Sequence, residues 1–180
     1  MKALLIVDVQ RDFCPGGTLA VPNGDKVIPV INRVQAAFPL VVASKDWHPK
    51  ETVHFKKWPP HCVQGTPGAE FHPDLDQSRI KKIFLKGNHN KDDGYSAFEA
   101  TNENLADFLR KSGVEELYVA GLATDYCVKA TALDAEKNGF ETFVIEDAVA
   151  AVNETAGDDE RAFKTMRKAG ITLLNSDEIV

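Results

Sequence analysis

Several things are scarce in this sequence. It has three cysteines in 180 residues, too few and odd in number for a disulfide framework, so the thiols read as reduced groups of a cytosolic protein. No Lys/Arg cluster offsets the formal net charge of -6, which argues against nucleic acid or an anionic membrane as a partner. No apolar run is long enough to span a bilayer. The N-terminal run Met1-Lys2-Ala3-Leu4-Leu5-Ile6-Val7 meets Asp8 too early for a signal peptide. The first strand-like run leads into Gln10-Arg11-Asp12-Phe13 rather than a Gly-x-Gly-x-x-Gly turn, which disfavours a dinucleotide-binding oxidoreductase. Repeats, low-complexity tracts and interdomain linkers are also absent. The expectation is a soluble, cytoplasmic protein with one domain over residues 1–180.

The chain does contain apolar runs of strand length: Ala3 to Val9, Leu40 to Ala43, Ile80 to Leu85, Leu117 to Ala120, Thr142 to Ile145 and Ile171 to Leu174. Several are continuous, as in strands covered on both faces. Helical spacing appears between most of them. Val27, Ile31, Val34 and Phe38 form one such pattern. Others end at Gly113, Gly139 and Gly170, where glycine suits a left-handed C-terminal cap. Strands alternating with helices predict an α/β fold, a three-layer α/β/α sandwich around a six-stranded, mainly parallel sheet. The stretch of about 44–79 has no clear period. Its Trp, Phe and His content argues against disorder, so it reads as a functional loop.

Ligands of such sheets gather beyond the carboxyl ends of the strands. Asp8, Lys86 and Cys127 all lie there, each after a different strand. Singly, each has a plainer reading: a polar residue satisfying loop backbone, a surface charge, a buried inert thiol. Together they can converge on one rim. Cys127 follows a glycine turn and opens a helix, where the positive end of the helix favours a thiolate and free N–H groups can hold an oxyanion. Lys86 would keep Asp8 ionised and favour that thiolate. Asp8 would accept the thiol proton and return one to a leaving amine.

The loop adds Asp46, His48 and His61, a carboxylate and two imidazoles that suit zinc, iron or manganese and leave coordination positions open. His54 reads as a fourth ligand or a substrate contact. Four of the five histidines fall between His48 and His72, although loop histidines at a surface are the plainer reading of each alone. His72 and His89 read as surface residues, and Cys14 and Cys62 as packing.

The segments Val7-Asp8-Val9-Gln10-Arg11-Asp12-Phe13, Asp46-Trp47-His48-Pro49, Trp58-Pro59-Pro60-His61-Cys62-Val63, Lys86-Gly87, Tyr95-Ser96-Ala97-Phe98 and Gly121-Leu122-Ala123-Thr124-Asp125-Tyr126-Cys127-Val128 resemble those of the nicotinamidases, within the isochorismatase-like cysteine hydrolases. The resemblance covers nearly the whole chain. It implies the isochorismatase-like form of the fold and a hydrolase that turns nicotinamide or pyrazinamide into the acid and ammonia through a thioester. It implies Asp8, Lys86 and Cys127 as the catalytic triad. It implies Asp46, His48 and His61 as ligands of a divalent metal, zinc first, then iron or manganese, with His54 or Glu51 as the further ligand. It also implies a cis peptide between Leu122 and Ala123 and an oxyanion hole from the N–H groups of Ala123 and Cys127. The pocket walls would be Phe13, Leu19, Trp58, Tyr95, Leu122 and Tyr126. The expected partner is the small-molecule substrate, with a homo-oligomer as an option. The nearest alternative is a related amidohydrolase acting on a ureido or carbamoyl substrate.

Overall fold

The computed structural model describes residues 1–179. Six strands form one sheet: β1 (Lys2–Val7), β2 (Leu40–Asp46), β3 (Ile80–Lys86), β4 (Glu116–Leu122), β5 (Glu141–Ala150) and β6 (Thr172–Leu174). Their order is β3-β2-β1-β4-β5-β6, and every neighbouring pair is parallel. The sheet is thus wholly parallel, where the sequence predicts a mainly parallel one. Four helices accompany it: α1 (Val27–Val34), α2 (Leu105–Lys111), α3 (Lys129–Lys137) and α4 (Asp158–Lys168).

Period-two alternation along β1 divides the core. Leu4 and Ile6 join Val27, Ile28, Ile31 and Val34 of α1 on one face. Ala3, Leu5 and Val7 join Leu105 and Leu109 of α2, Ala132 and Ala135 of α3, and Ala162 and Met166 of α4 on the other. Helix α1 is too small to cover its face alone. Cys62, Ala69, Phe71 and Leu75 complete that cluster from the aperiodic 44–79 stretch. This stretch therefore forms part of an outer layer, built from short 3-10 turns at Val53–Lys56 and Pro67–Ala69 and from single bridges Gln10–Phe71 and His48–Val63. Among the described residues, no helix is long and apolar enough to cross a membrane.

The pattern read from Val27 to Phe38 is wholly buried, yet the α-helix stops at Val34. A 3-10 turn spans Gln35–Ala37, and Phe38 is extended at φ -111°. Pro39 follows Phe38, and the proline ring disfavours the helical conformation of its predecessor. The three expected glycine caps are present: Gly113, Gly139 and Gly170 have φ of 74°, 85° and 97°. The next N–H after each bonds back into its helix, as Val114 does to Leu109 O at 3.0 Å.

Strand β1 starts the sheet in the middle. The chain fills one side with β2 and β3, then returns to fill the other with β4 to β6. The switch point lies between β1 and β4, where Gly121 has φ 118° and a Cβ would sit 2.1 Å from Val7 O. Both strands are held by sheet bonds, so neither can retreat. Gly121→Ala is therefore expected to lose about 3 kcal/mol of stability, read as a lowered urea midpoint. Gly65→Ala, where no atom lies within 4 Å of the new Cβ, should lose less.

Candidate active site

Four strand ends deliver polar side chains to the rim around this switch point. Asp8 follows β1, Asp46 ends β2, Lys86 ends β3, and Cys127 stands five residues past β4. All four are buried. Asp8 turns the chain at φ 50°, and its N–H donates to Ser44 O at 3.2 Å. Gln10 stitches Asp46 in place: its Nε2 donates to Asp46 O (2.7 Å) and Ala69 O (2.8 Å), and its Oε1 accepts from Asp46 N (2.9 Å).

The Lys86 ammonium, wholly buried, donates to Asp46 Oδ1 (2.5 Å), Gly94 O (2.6 Å) and Cys127 Sγ (3.5 Å). These use its three N–H bonds. Asp8 Oδ2 lies 2.6 Å from the same nitrogen as an ion pair, but outside hydrogen-bonding angles. Asp8 Oδ1 accepts from the Ser44 hydroxyl at 2.8 Å. One carboxylate oxygen each of Asp8 and Asp46 and the Cys127 Sγ lie within 4.8 Å of one another.

Charge balance follows from this packing. Burial works against the ammonium, yet Asp46 and Asp8 hold the Lys86 pKa well above its ordinary value. Burial would raise Asp46, but the Lys86 ammonium beside it holds it well below the usual carboxylate range. Burial pushes Asp8 up; Lys86 opposes this and the Asp46 charge adds to it. Burial pushes the Cys127 thiol well up, opposed by Lys86 and reinforced by Asp8 and Asp46. This corrects the expected low-pKa thiolate. Full burial and two nearby carboxylates outweigh one ammonium. Cys127 also does not open α3: Thr124–Val128 is a single π-turn, closed by Val128 N donating to Ala123 O at 3.0 Å, and α3 begins only at Lys129.

Next to this cluster, His48, His54 and His61 bring one ring nitrogen each within 4.8 Å of one another. All three are buried. Each has Nδ1 against an acceptor: His48 to Gly87 O (2.8 Å), His54 to Asp92 Oδ1 (2.8 Å), His61 to Pro59 O (2.7 Å). Such bonds place the proton on Nδ1 and leave the Nε2 lone pairs free. Asp46 Oδ2 lies 3.3 Å from His48 Nε2 and 3.7 Å from His61 Nε2. Three lone pairs and a carboxylate oxygen facing one another fit a divalent cation. His54 stands with the set, whereas Glu51 is exposed and makes no part of it. His72 is half-buried and His89 exposed; Cys14 and Cys62 are buried.

A cleft opens over both groups. Phe13, Leu19, Trp58, Tyr95, Leu122 and Tyr126 all line it, together with Asp46, His54, His61, Ala123 and Cys127. The peptide between Leu122 and Ala123 is cis. The sequence reading missed Val21, Asp93, Gly94 and Val152 among the lining residues. It also missed the carboxylates that brace the site. Asp12 Oδ2 accepts from Cys62 N (2.8 Å) and fixes the turn after His61. Asp125 accepts from Val152 N (3.0 Å) and Asn153 N (2.9 Å), tying the π-turn to the chain after β5. Asp12 and Asp125 lie within the segments Val7-Asp8-Val9-Gln10-Arg11-Asp12-Phe13 and Gly121-Leu122-Ala123-Thr124-Asp125-Tyr126-Cys127-Val128; Asp92, in a polar stretch, gives no signal.

The isochorismatase domain model matches residues 2–178. The chain belongs to the isochorismatase domain family. It is 45% identical over 189 residues to the nicotinamidase/pyrazinamidase of Mycobacterium tuberculosis, covering 98% of this chain and 100% of that one. A pyrazinamidase from Pyrococcus horikoshii in complex with zinc superposes with a TM-score of 0.87 at 46% identity, covering 97% and 98% of the two chains. A structure from L. infantum in complex with nicotinate gives a TM-score of 0.94 at 39% identity, covering 100% and 95%.

The raised thiol has a measurable consequence. Alkylation of Cys127 in metal-free protein, followed on its own peptide by mass spectrometry, should keep rising with pH beyond the ordinary thiol value of 9.0, by about tenfold per pH unit as thiolate forms. A rate that levels near neutrality would mean that Lys86 outweighs burial.

Proposed function

We propose that the protein hydrolyses nicotinamide to nicotinate and ammonia, with Cys127 as nucleophile. One observation carries this reading: the cation-binding set and the thiol cluster share a single carboxylate, Asp46, and open on one apolar cleft. Such a cleft suits a flat ring that carries both a metal-seeking nitrogen and a carboxamide. The similarity to nicotinamidases and pyrazinamidases supports the same substrate class.

Asp46, His48, His54 and His61 would hold the metal, with zinc the first choice on the likeness to the P. horikoshii protein and iron or manganese as alternatives. When bound, the cation supplies an open coordination position for the ring nitrogen. Phe13 and Trp58 pack on the ring; Leu19, Tyr95, Leu122 and Tyr126 close the walls. Cys127 Sγ attacks the carboxamide carbon while its proton passes to Asp8 Oδ2. Lys86, 3.5 Å from Sγ, steadies the charge that develops on sulfur. The N–H groups of Ala123 and Cys127 receive the oxyanion. Asp8 then gives the proton to the departing nitrogen, ammonia leaves, and a thioester remains. Water attacks it, losing a proton to Asp8; the C–S bond then breaks, Asp8 returns that proton to sulfur, and the acid leaves as nicotinate after giving its own proton to solvent.

The test is ammonia release from nicotinamide by the purified protein, with metal content measured on the same sample. Cys127→Ala should lower turnover at least about a thousandfold. Chelation should abolish activity and zinc restore it. Full turnover by Cys127→Ala, or equal release from aliphatic amides, would overturn the reading.

A further inference from the structure

Two of the three histidine Nδ1 groups donate to main-chain carbonyls, Gly87 O and Pro59 O. Only His54 donates to a side chain, Asp92. The same Asp92 Oδ1 accepts the Tyr95 hydroxyl at 3.0 Å, and Tyr95 Oη accepts from Trp58 Nε1 at 3.0 Å. Trp58 in turn meets Tyr126 edge to face, with ring centroids 5.1 Å apart at 87°. One carboxylate oxygen thus joins an imidazole of the cation set to an aromatic wall of the cleft.

We infer that Asp92 is a positioning residue that couples cation binding at His54 to the placement of Trp58 and Tyr95. The inference rests on the proposed role of His54 as a ligand. A cation drawing on His54 Nε2 makes Nδ1–H a stronger donor, and a carboxylate responds more than a carbonyl does. Asp92 is drawn toward His54, and the Tyr95 hydroxyl and Trp58 indole follow the shared oxygen. The aromatic wall then takes its substrate-ready position when the cation is present. Asp92 keeps 43% of its side chain exposed, so replacing it leaves the core intact.

The experiment titrates metal-free protein with zinc alone and reads tryptophan fluorescence and calorimetric affinity. Trp58→Phe assigns the optical signal to Trp58 rather than to Trp47, the other tryptophan. Asp92→Asn, which keeps an acceptor but loses the charge, is expected to weaken zinc binding about tenfold or more and to lose the Trp58 signal. Its metal-free thermal midpoint should stay unchanged, and Asp92→Glu should regain part of both effects. At saturating zinc, KM for nicotinamide should rise more than kcat falls. Unchanged zinc affinity in Asp92→Asn, or weakened affinity with the Trp58 signal intact, overturns the coupling while leaving the proposed reaction standing. Wild-type protein that binds neither zinc nor, in the same titration, iron(II) or manganese(II) overturns both.

Discussion

The buried Lys86 ammonium is the interaction on which the site depends. A charge removed from water costs on the order of several kcal/mol unless partners surround it. Here they come from four places in the chain: Asp8 after β1, Asp46 at the end of β2, Gly94 from the segment after β3, and Cys127 after β4. Strand ends that are distant in sequence are therefore pinned to one nitrogen. Removing any partner leaves a buried charge short of compensation, so the arrangement is held as a unit. Two carboxylates around one ammonium also leave an excess of negative charge. Asp46 turns its second oxygen toward the imidazoles, where a cation would balance it.

The topology makes this convergence possible. In a wholly parallel sheet every strand delivers its carboxyl end to the same edge, and the reversal of order at β1 and β4 opens a gap there. Asp8 and Cys127 stand on either side of that gap. The close approach of Gly121 to Val7 keeps the two strands together just below it. The 44–79 stretch then serves two ends. Its apolar residues complete the outer layer over one face, and the same packing fixes His54 and His61 over the rim.

The parts legible in the sequence were those written locally. Continuous apolar runs marked the strands, glycines marked three helix ends, and position after a strand singled out Asp8, Lys86 and Cys127. Residue type and a shared loop suggested Asp46, His48 and His61 as a set, and the resemblance to the nicotinamidases implied them as ligands. The contacts of Asp12, Asp92 and Asp125 were not legible, because each joins its carboxylate to a segment at least 27 residues away. The layer role of Phe71 and Leu75 was hidden for a similar reason: their burial follows no helical or strand period. The direction of the Cys127 shift depends on the degree of burial, which a single chain of letters does not state.

In the proposed reaction, that direction bears on how Cys127 and Asp8 would divide their work. A resting thiolate would place a third negative charge beside Asp8 and Asp46, with only Lys86 to oppose it. Keeping the proton on sulfur avoids that cost and protects the thiol from oxidation, since the thiolate is the reactive form. Burial, reinforced by the Asp46 charge, raises Asp8 against the pull of Lys86 and makes it a better base. The thiol is thus a poor acid and Asp8 a better acceptor, and the two shifts act in opposite senses on the transfer. In that proposed reaction sulfur would lose its proton only as the carbon–sulfur bond forms, when charge moves on to the carbonyl oxygen. Asp8, paired with Lys86 at 2.6 Å and close to Sγ, is the group placed to take it.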